Sequence, residues 1–245
     1  MPGVSFLNVL DVGRAFGNDP FAATPATIAA WLREHYLVSR KGGFNYDPAT
    51  TATIDMFRGC ASAASAQVYC LTHGNPKGRK QNASAVAAVS RYALTHPSAC
   101  HRIGFTAVAV GRSRGRTIYI GIKAPIVRVE HRKAYWVMPG FRMTYRPGER
   151  EIDVACSIAK TALAKDDYAK ADLEYLYAGP GAAGAREFRA ILGRERSLFD
   201  GDTVDALLDT YVQGVALVVE DDARLAGHPK LAGYRVIDPQ SPSFL

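Results

Sequence analysis

Residues 110–146 read VGRSRGRTIYIGIKAPIVRVEHRKAYWVMPGFRMTYR. This stretch decides the fold class. It alternates apolar and polar residues with a period of two, and it is rich in β-branched and aromatic side chains, as strands are. With the residues just before it, it divides into FTAVAV (105–110), TIYIGIK (117–123), IVRVE (126–130) and AYWVM (134–138). Gly111 and Gly115 mark a hairpin turn over 111–116, Pro125 separates two strand pieces, and Pro139-Gly140 closes the set. The expected arrangement is an antiparallel meander of three or four strands. On alternation Ile118 and Ile120 share one face opposite Tyr119, and Val127 and Val129 share a face opposite Arg128 and Glu130. With the aliphatic side turned to the core, Tyr119, Lys123 and Arg128 face outward.

The period becomes helical on both sides of this region. Thr24-Pro25 and Asp47-Pro48 start helices in the way a capping residue followed by proline does, with Gly42-Gly43 and Gly59 as stops. The alanine-rich segment 60–74 reads as a buried helix. A further helix is expected from a cap at Asn82 to the residue before Pro97. After Arg146, the stripe Ile152, Ala155, Ile158, Ala159, Ala162 and Leu163 gives another helix. Helices are also expected over 166–178, over 181–195, and from a cap at Asp200 through Glu220. The tail from Gly227 reads as irregular. Helices, then strands, then helices is the order of an α+β protein rather than of a sheet built from βαβ units. A single domain over 1–245 is expected. The natural alternative cut separates 1–145, helices plus basic sheet, from an acidic helical part at 146–245.

The net charge of +7 is the balance of an uneven distribution. Residues 102–150 carry 11 Lys/Arg and 2 Asp/Glu, whereas residues 151–227 carry 8 and 15. A surface that needed only solubility would mix its signs. This asymmetry points to a polyanionic partner for the basic part. For the acidic part, a basic protein or self-association is the corresponding expectation.

The cations of the basic part are Arg112, Arg114 and Arg116 in the hairpin turn, Lys123 and Arg128 on strands, Arg132 and Lys133 in the next loop, then Arg142 and Arg146. Tyr119, Tyr135, Trp136, Phe141 and Tyr145 lie among them. Arginine presents a planar fork to phosphate oxygens and aromatic faces stack on bases, so the pattern fits a nucleic-acid platform, DNA or RNA. Trp136 and several other aromatics suit the core better. Lys77, Arg79 and Lys80 precede the expected cap at Asn82, where cations oppose the positive end of a helix. A phosphate held between them would relieve that repulsion.

A nuclease alternative draws on His101 and His131, the histidines nearest the basic region. A ribonuclease that works without metal needs an acid, a base and a cation beside the phosphorus. No cofactor and no metal are expected. Cys70-His73 and Cys100-His101 lack the paired chelating spacing of zinc sites. The acids at 166–167 and 200–202 are placed as helix caps. The four cysteines are widely spaced, which fits a reducing, cytoplasmic setting better than a disulfide scaffold. The longest apolar run, YVQGVALVV (211–219), is too short to span a bilayer, and the N-terminus lacks the basic start of a secretory signal.

Overall fold

The computed structural model describes residues 3–37, 44–181 and 183–238. The helix stop expected at Gly42-Gly43 lies outside them. The protein is a mixed α and β structure. Strands β1 (Phe6–Asn8), β3 (Phe105–Ser113), β4 (Arg116–Ile122) and β9 (Tyr234–Ile237) form a four-stranded sheet in the order β1-β4-β3-β9. Strands β2 (Ala99–Arg102), β5 (Ile126–Glu130), β6 (Lys133–Gly140), β7 (Asp172–Pro180) and β8 (Arg186–Leu192) form a five-stranded sheet in the order β2-β5-β6-β7-β8. The helices are α1 (Val9–Phe16), α2 (Pro25–Trp31), α3 (Asp47–Phe57), α4 (Ala63–Thr72), α5 (Arg79–Thr95), α6 (Glu149–Leu163) and α7 (Gly201–Asp221).

The expected meander is corrected. Its two hairpins exist, β3 against β4 and β5 against β6, both antiparallel. They belong to different sheets. Chain β2–β3 runs antiparallel to chain β4–β5 as one long ribbon, and both chains change sheet at the same level. There Ile103 N–H donates to the Pro125 carbonyl at 2.9 Å. Pro125 has no N–H to give to a ladder, so the strand ends there and resumes in the second sheet rather than turning back.

Two expected helices are strands. Residues 166–178 hold a short 3-10 turn and then β7, and the helix expected over 181–195 is replaced by β8 at Arg186–Leu192. In β7, Leu173, Tyr175 and Tyr177 pack into one core while Leu176 and Ala178 pack into another. A strand buried on both faces reads as a continuous apolar run and loses its alternation. β7 runs parallel to β6, from Tyr135 opposite Asp172 to Gly140 opposite Tyr177. The five-stranded sheet therefore crosses the alternative cut at 145–146. The tail also contributes β9, parallel to β3.

Helices α1, α2, α6 and α7 enclose one core between the sheets, with Ile118, Ile120 and Ile122 from one and Val127, Trp136 and Met138 from the other. Helices α3, α4 and α5 cover the opposite face of the five-stranded sheet. Helix α4 is less buried than expected, since Val68 and Leu71 on it are exposed. Asn82 does not cap its own helix. It sits inside α5, accepts from Ala49 N–H in the first turn of α3, and donates to the carbonyls of Asn45 and Gly78. No helix of the described residues is long and apolar enough to cross a membrane.

Candidate anion-binding surfaces

The expectation that Arg128 faces outward is overturned. Its side chain is 1% exposed and faces the α3–α5 layer, because helices cover both faces of this sheet. The guanidinium makes a two-pronged pair with Glu174, Nε to Oε2 and Nη2 to Oε1, both at 2.7 Å. Nη1 donates to Glu130 at 2.8 Å and to Ser98 Oγ at 3.0 Å. Tyr92 O–H donates to Glu174 Oε1 at 2.5 Å, and the Tyr135 ring lies 4.3 Å from the guanidinium carbon. Burial, followed by the adjacent Glu174 carboxylate, pushes the Tyr92 hydroxyl well above the usual phenol range. Arg128 is a structural ion, unavailable to any ligand.

The other cations separate into several places. Arg112, Arg114 and Arg116 sit at one end of the ribbon, where Arg114 donates to the Glu220 carbonyl and Arg116 to the Gly227 carbonyl. His131, Arg132 and Lys133 sit at the other end. From Arg116 to Glu130 the chain runs through two sheets, a contour of about 45 Å at the usual rise per strand residue. Arg142 pairs with Asp11 at 3.2 Å, and Arg146 with Glu187 at 3.4 Å. Other carboxylates pair with arginines outside the basic stretch: Asp153 and Glu149 hold Arg196, Asp172 holds Arg194, and Asp221 holds Arg33.

Lys77, Arg79 and Lys80 stand in a third place. Helix α5 starts at Arg79, not Asn82, so two of the three lie within its first turn. A cleft of about 550 Å³ lies just before them in the chain, lined by Phe44, Asp47, Thr51, Tyr69 and His73 among others, and none of the three cations lines it. Asp47 in this cleft is paired with Arg102.

The two histidines of the nuclease alternative do not converge. His101 on β2 lies opposite Val127 of β5, and His131 follows four residues later on that chain, about 13 Å along a strand. The arginines of the 111–116 turn are farther still, at the opposite end of the ribbon. Among the described residues no group of three His, Cys, Asp or Glu side chains is placed to hold a metal ion.

Two surfaces remain on which cations and accessible space coincide. The first is the face of the four-stranded sheet turned away from α7. Register puts Phe6 opposite Tyr119, Ala109 opposite Tyr119 from the other side, Arg112 opposite Thr117, and Tyr234 opposite Phe105. Aromatics thus come from all four strands. The Phe6 and Tyr234 rings meet edge to face at 5.1 Å, and Phe105 lies 5.3 Å from Tyr234. They come from opposite edges of the sheet and close over Gly121, where a Cβ would stand 2.7 Å from the Phe6 ring. Only glycine lets the rings approach the backbone so closely. Phe6, Phe105, Tyr119 and Tyr234 are all half-buried. Arg112 marks one end of this face. Lys123 marks the other, its ammonium 5.6 Å from the Phe105 ring centre. Burial of its stem, then the nearby Arg142, lowers the Lys123 ammonium below the usual lysine range.

The second surface is the end of the five-stranded sheet at which β6 and β7 begin. A cleft of about 340 Å³ opens there, lined by Lys133, Tyr135, Lys160, Lys170, Asp172 and Arg194 among others. Lys133 was read from the sequence. Lys160, Lys170 and Arg194 were not, because they lie in the segment whose average charge is acidic. Phe6 and Tyr234 were missed because nothing in a single sequence marks which short edge strands flank a hairpin. Comparison with protein families, with curated proteins and with solved structures finds no match to this chain.

Proposed function

We propose that the protein binds single-stranded nucleic acid across the outer face of the four-stranded sheet. The observation that carries this reading is the set of half-buried rings on one sheet face, Phe6 and Phe105 each in contact with Tyr234 and Tyr119 in register beside Phe6, bounded by Arg112 and Lys123. Every base has a π-face, so such a row accepts bases without reading sequence, and flanking cations track the phosphates. Arg114 and Arg116 extend the positive end beyond the sheet. Compared with the sequence expectation, the platform loses Arg128 and gains Phe6, Phe105 and Tyr234. Four free thiols, three of them buried, support placing this activity in a reducing compartment such as the cytoplasm.

Anisotropy of a labelled single-stranded oligonucleotide, DNA and RNA in parallel, tests the reading across a salt series. Each neutralised phosphate contributes about −0.7 to the slope of log K against log salt for a single strand, so Arg112→Gln with Lys123→Gln should flatten it by about 1.4. Tyr119→Ala should cost roughly 1–3 kcal/mol of affinity through lost stacking and leave the slope unchanged. Wild-type protein with no saturable binding at low salt overturns the proposal. So does affinity that ignores both variants.

A further inference from the structure

We infer that the cleft at the start of β6 and β7 is a binding pocket for a phosphate monoester. This goes beyond the sheet-face reading and stands on different residues. Four separate elements bring cations to one place: Lys133 from the first position of β6, Lys160 from the last turn of α6, Lys170 from the loop before β7, and Arg194 from the 3-10 turn after β8. One carboxylate, Asp172, lines the cleft with them. It is committed, accepting from Leu173 N–H at 2.9 Å and from Arg194 Nη1 at 3.3 Å. None of the three lysines has a carboxylate within ion-pair distance among the described residues, so the lining carries a net charge of about +3 when the four cations and Asp172 are all ionised. Arg194 Nη1 is held by Asp172 and by the Tyr135 hydroxyl, both at 3.3 Å, while its Nη2 has only a longer contact of 3.9 Å with the exposed Glu195. An arginine fixed with part of its fork free is suited to phosphate oxygens, and mobile ammonium groups complete the neutralisation of a dianion.

A lysine in the last turn of a helix is ordinary, since it meets the negative end of the dipole. That accounts for Lys160 alone and for none of the other three. The turn beside the cleft adds a second observation. His131 and Arg132 both have left-handed backbone, φ +48° and +65°. Asn-Gly is the low-cost choice for such a turn. Here two residues with cationic or protonatable side chains occupy it, at a conformational cost of the kind kept where a surface is used. The cleft volume of about 340 Å³ is at the small end for a ligand pocket, room for a phosphate with a small organic group attached.

The phosphate could belong to a small phosphorylated metabolite or to the phosphorylated end of an oligonucleotide, and two arms of one experiment separate these. Inorganic phosphate is titrated calorimetrically into the full chain in a chloride buffer of low ionic strength. A short oligonucleotide with and without a 5′-phosphate is titrated in parallel. Saturable phosphate binding is expected, weakened about tenfold or more in Lys133→Gln/Lys170→Gln, and unchanged in Arg112→Gln. Both lysines are exposed, so the double variant should fold as the wild type does. A 5′-phosphate that strengthens oligonucleotide binding only while Lys133 and Lys170 are present identifies the nucleic-acid end. Phosphate binding without that gain identifies the small metabolite. Absence of saturable phosphate binding overturns the inference, as does binding that the double variant retains in full. If the double variant weakens oligonucleotide binding in equal measure with and without the 5′-phosphate, and inorganic phosphate does not bind, the cleft is only part of a diffuse basic surface. Because Arg112→Gln and Tyr119→Ala probe the sheet face, either reading can fail while the other holds.

Discussion

Replacing Glu174 by Gln should be among the most damaging single changes this protein can receive outside its apolar core. Glu174 is 0% exposed and accepts three hydrogen bonds, two from Arg128 at 2.7 Å and one from Tyr92 at 2.5 Å. Glutamine keeps the shape and an acceptor for Tyr92. It also turns an N–H₂ group toward a guanidinium and leaves Arg128 with Glu130 as its only carboxylate. Removing one partner of a buried ion pair costs about 3–5 kcal/mol, because the other charge stays buried and uncompensated. Glu130 still reaches Nη1 at 2.8 Å, which places the loss toward the lower part of that range. At roughly 2–4 °C per kcal/mol for a chain of this length, a loss of about 3–4 kcal/mol should lower the Tm by roughly 6–16 °C. Urea denaturation followed by circular dichroism supplies the free energy, and a scan supplies the Tm. Arg128→Met should cost a comparable amount. Arg128→Met with Glu174→Leu should cost less than the two singles together, since no unpaired charge remains between them. A loss below about 1 kcal/mol for Glu174→Gln would show that water reaches the pair and would refute the argument from burial.

Three further outcomes are expected. Arg132→Gly should raise stability by about 1 kcal/mol, because it removes a side chain from left-handed backbone at φ +65°; an unchanged urea midpoint would mean that the turn is not strained. Native protein should expose one thiol of four to a disulfide reagent at neutral pH, the exposed Cys60, since burial pushes Cys70 and Cys100 up to about 11 and Cys156 up to about 12; reaction of all four before unfolding would contradict the packing. Glu149 is held below the ordinary glutamate range, first by the hydrogen bond from Arg189 and also by Arg196. A lowered folded-state value means that its contribution is present above the unfolded value and disappears as pH falls through the folded one. The stability gap between wild type and Glu149→Gln should therefore close on acidification below pH 4.5, and a gap that persists at pH 2 would reverse the assignment.

The local parts of the fold were legible and the long-range parts were not. Ile118, Ile120 and Tyr119 separate to the expected faces because one face of that sheet meets a helix layer and the other does not. The same parity rule fails at Arg128, where both faces are covered and alternation no longer distinguishes inside from outside. It fails again at 172–180, where Leu173 through Ala178 is apolar or paired throughout. Thr24, Asp47 and Asp200 mark helix starts near where they were expected, since caps are local chemistry. Asn82 looks like a cap in sequence and serves as one, but for α3, whose first turn packs beside it. The rings of the sheet face come from residues 6, 105, 119 and 234, a combination that only strand order can assemble.

The chain uses its two kinds of cation differently. Among the described residues every ion pair to a carboxylate is made by arginine, except the contact of His35 with Glu34. No lysine takes part. Arginine can satisfy two carboxylates and an aromatic face at once, as Arg128 does with Glu174, Glu130 and Tyr135, so it is the ion that a packed interior tolerates. An ammonium is compact and strongly hydrated, and it stays in water. The dense arginine of residues 102–150 therefore overstates the charge presented to solvent, because Arg102, Arg128, Arg142 and Arg146 are spent on Asp47, Glu174, Asp11 and Glu187. The lysines of the nominally acidic segment understate it in turn. Lys160 and Lys170 keep their charge for the surface while Asp172 and Asp153 are paired with Arg194 and Arg196. Where an anion would meet uncommitted positive charge follows from which cations lack a carboxylate partner; of these, Arg112 and Lys123 bound the rings of one sheet face, and Lys133, Lys160 and Lys170 meet at one cleft.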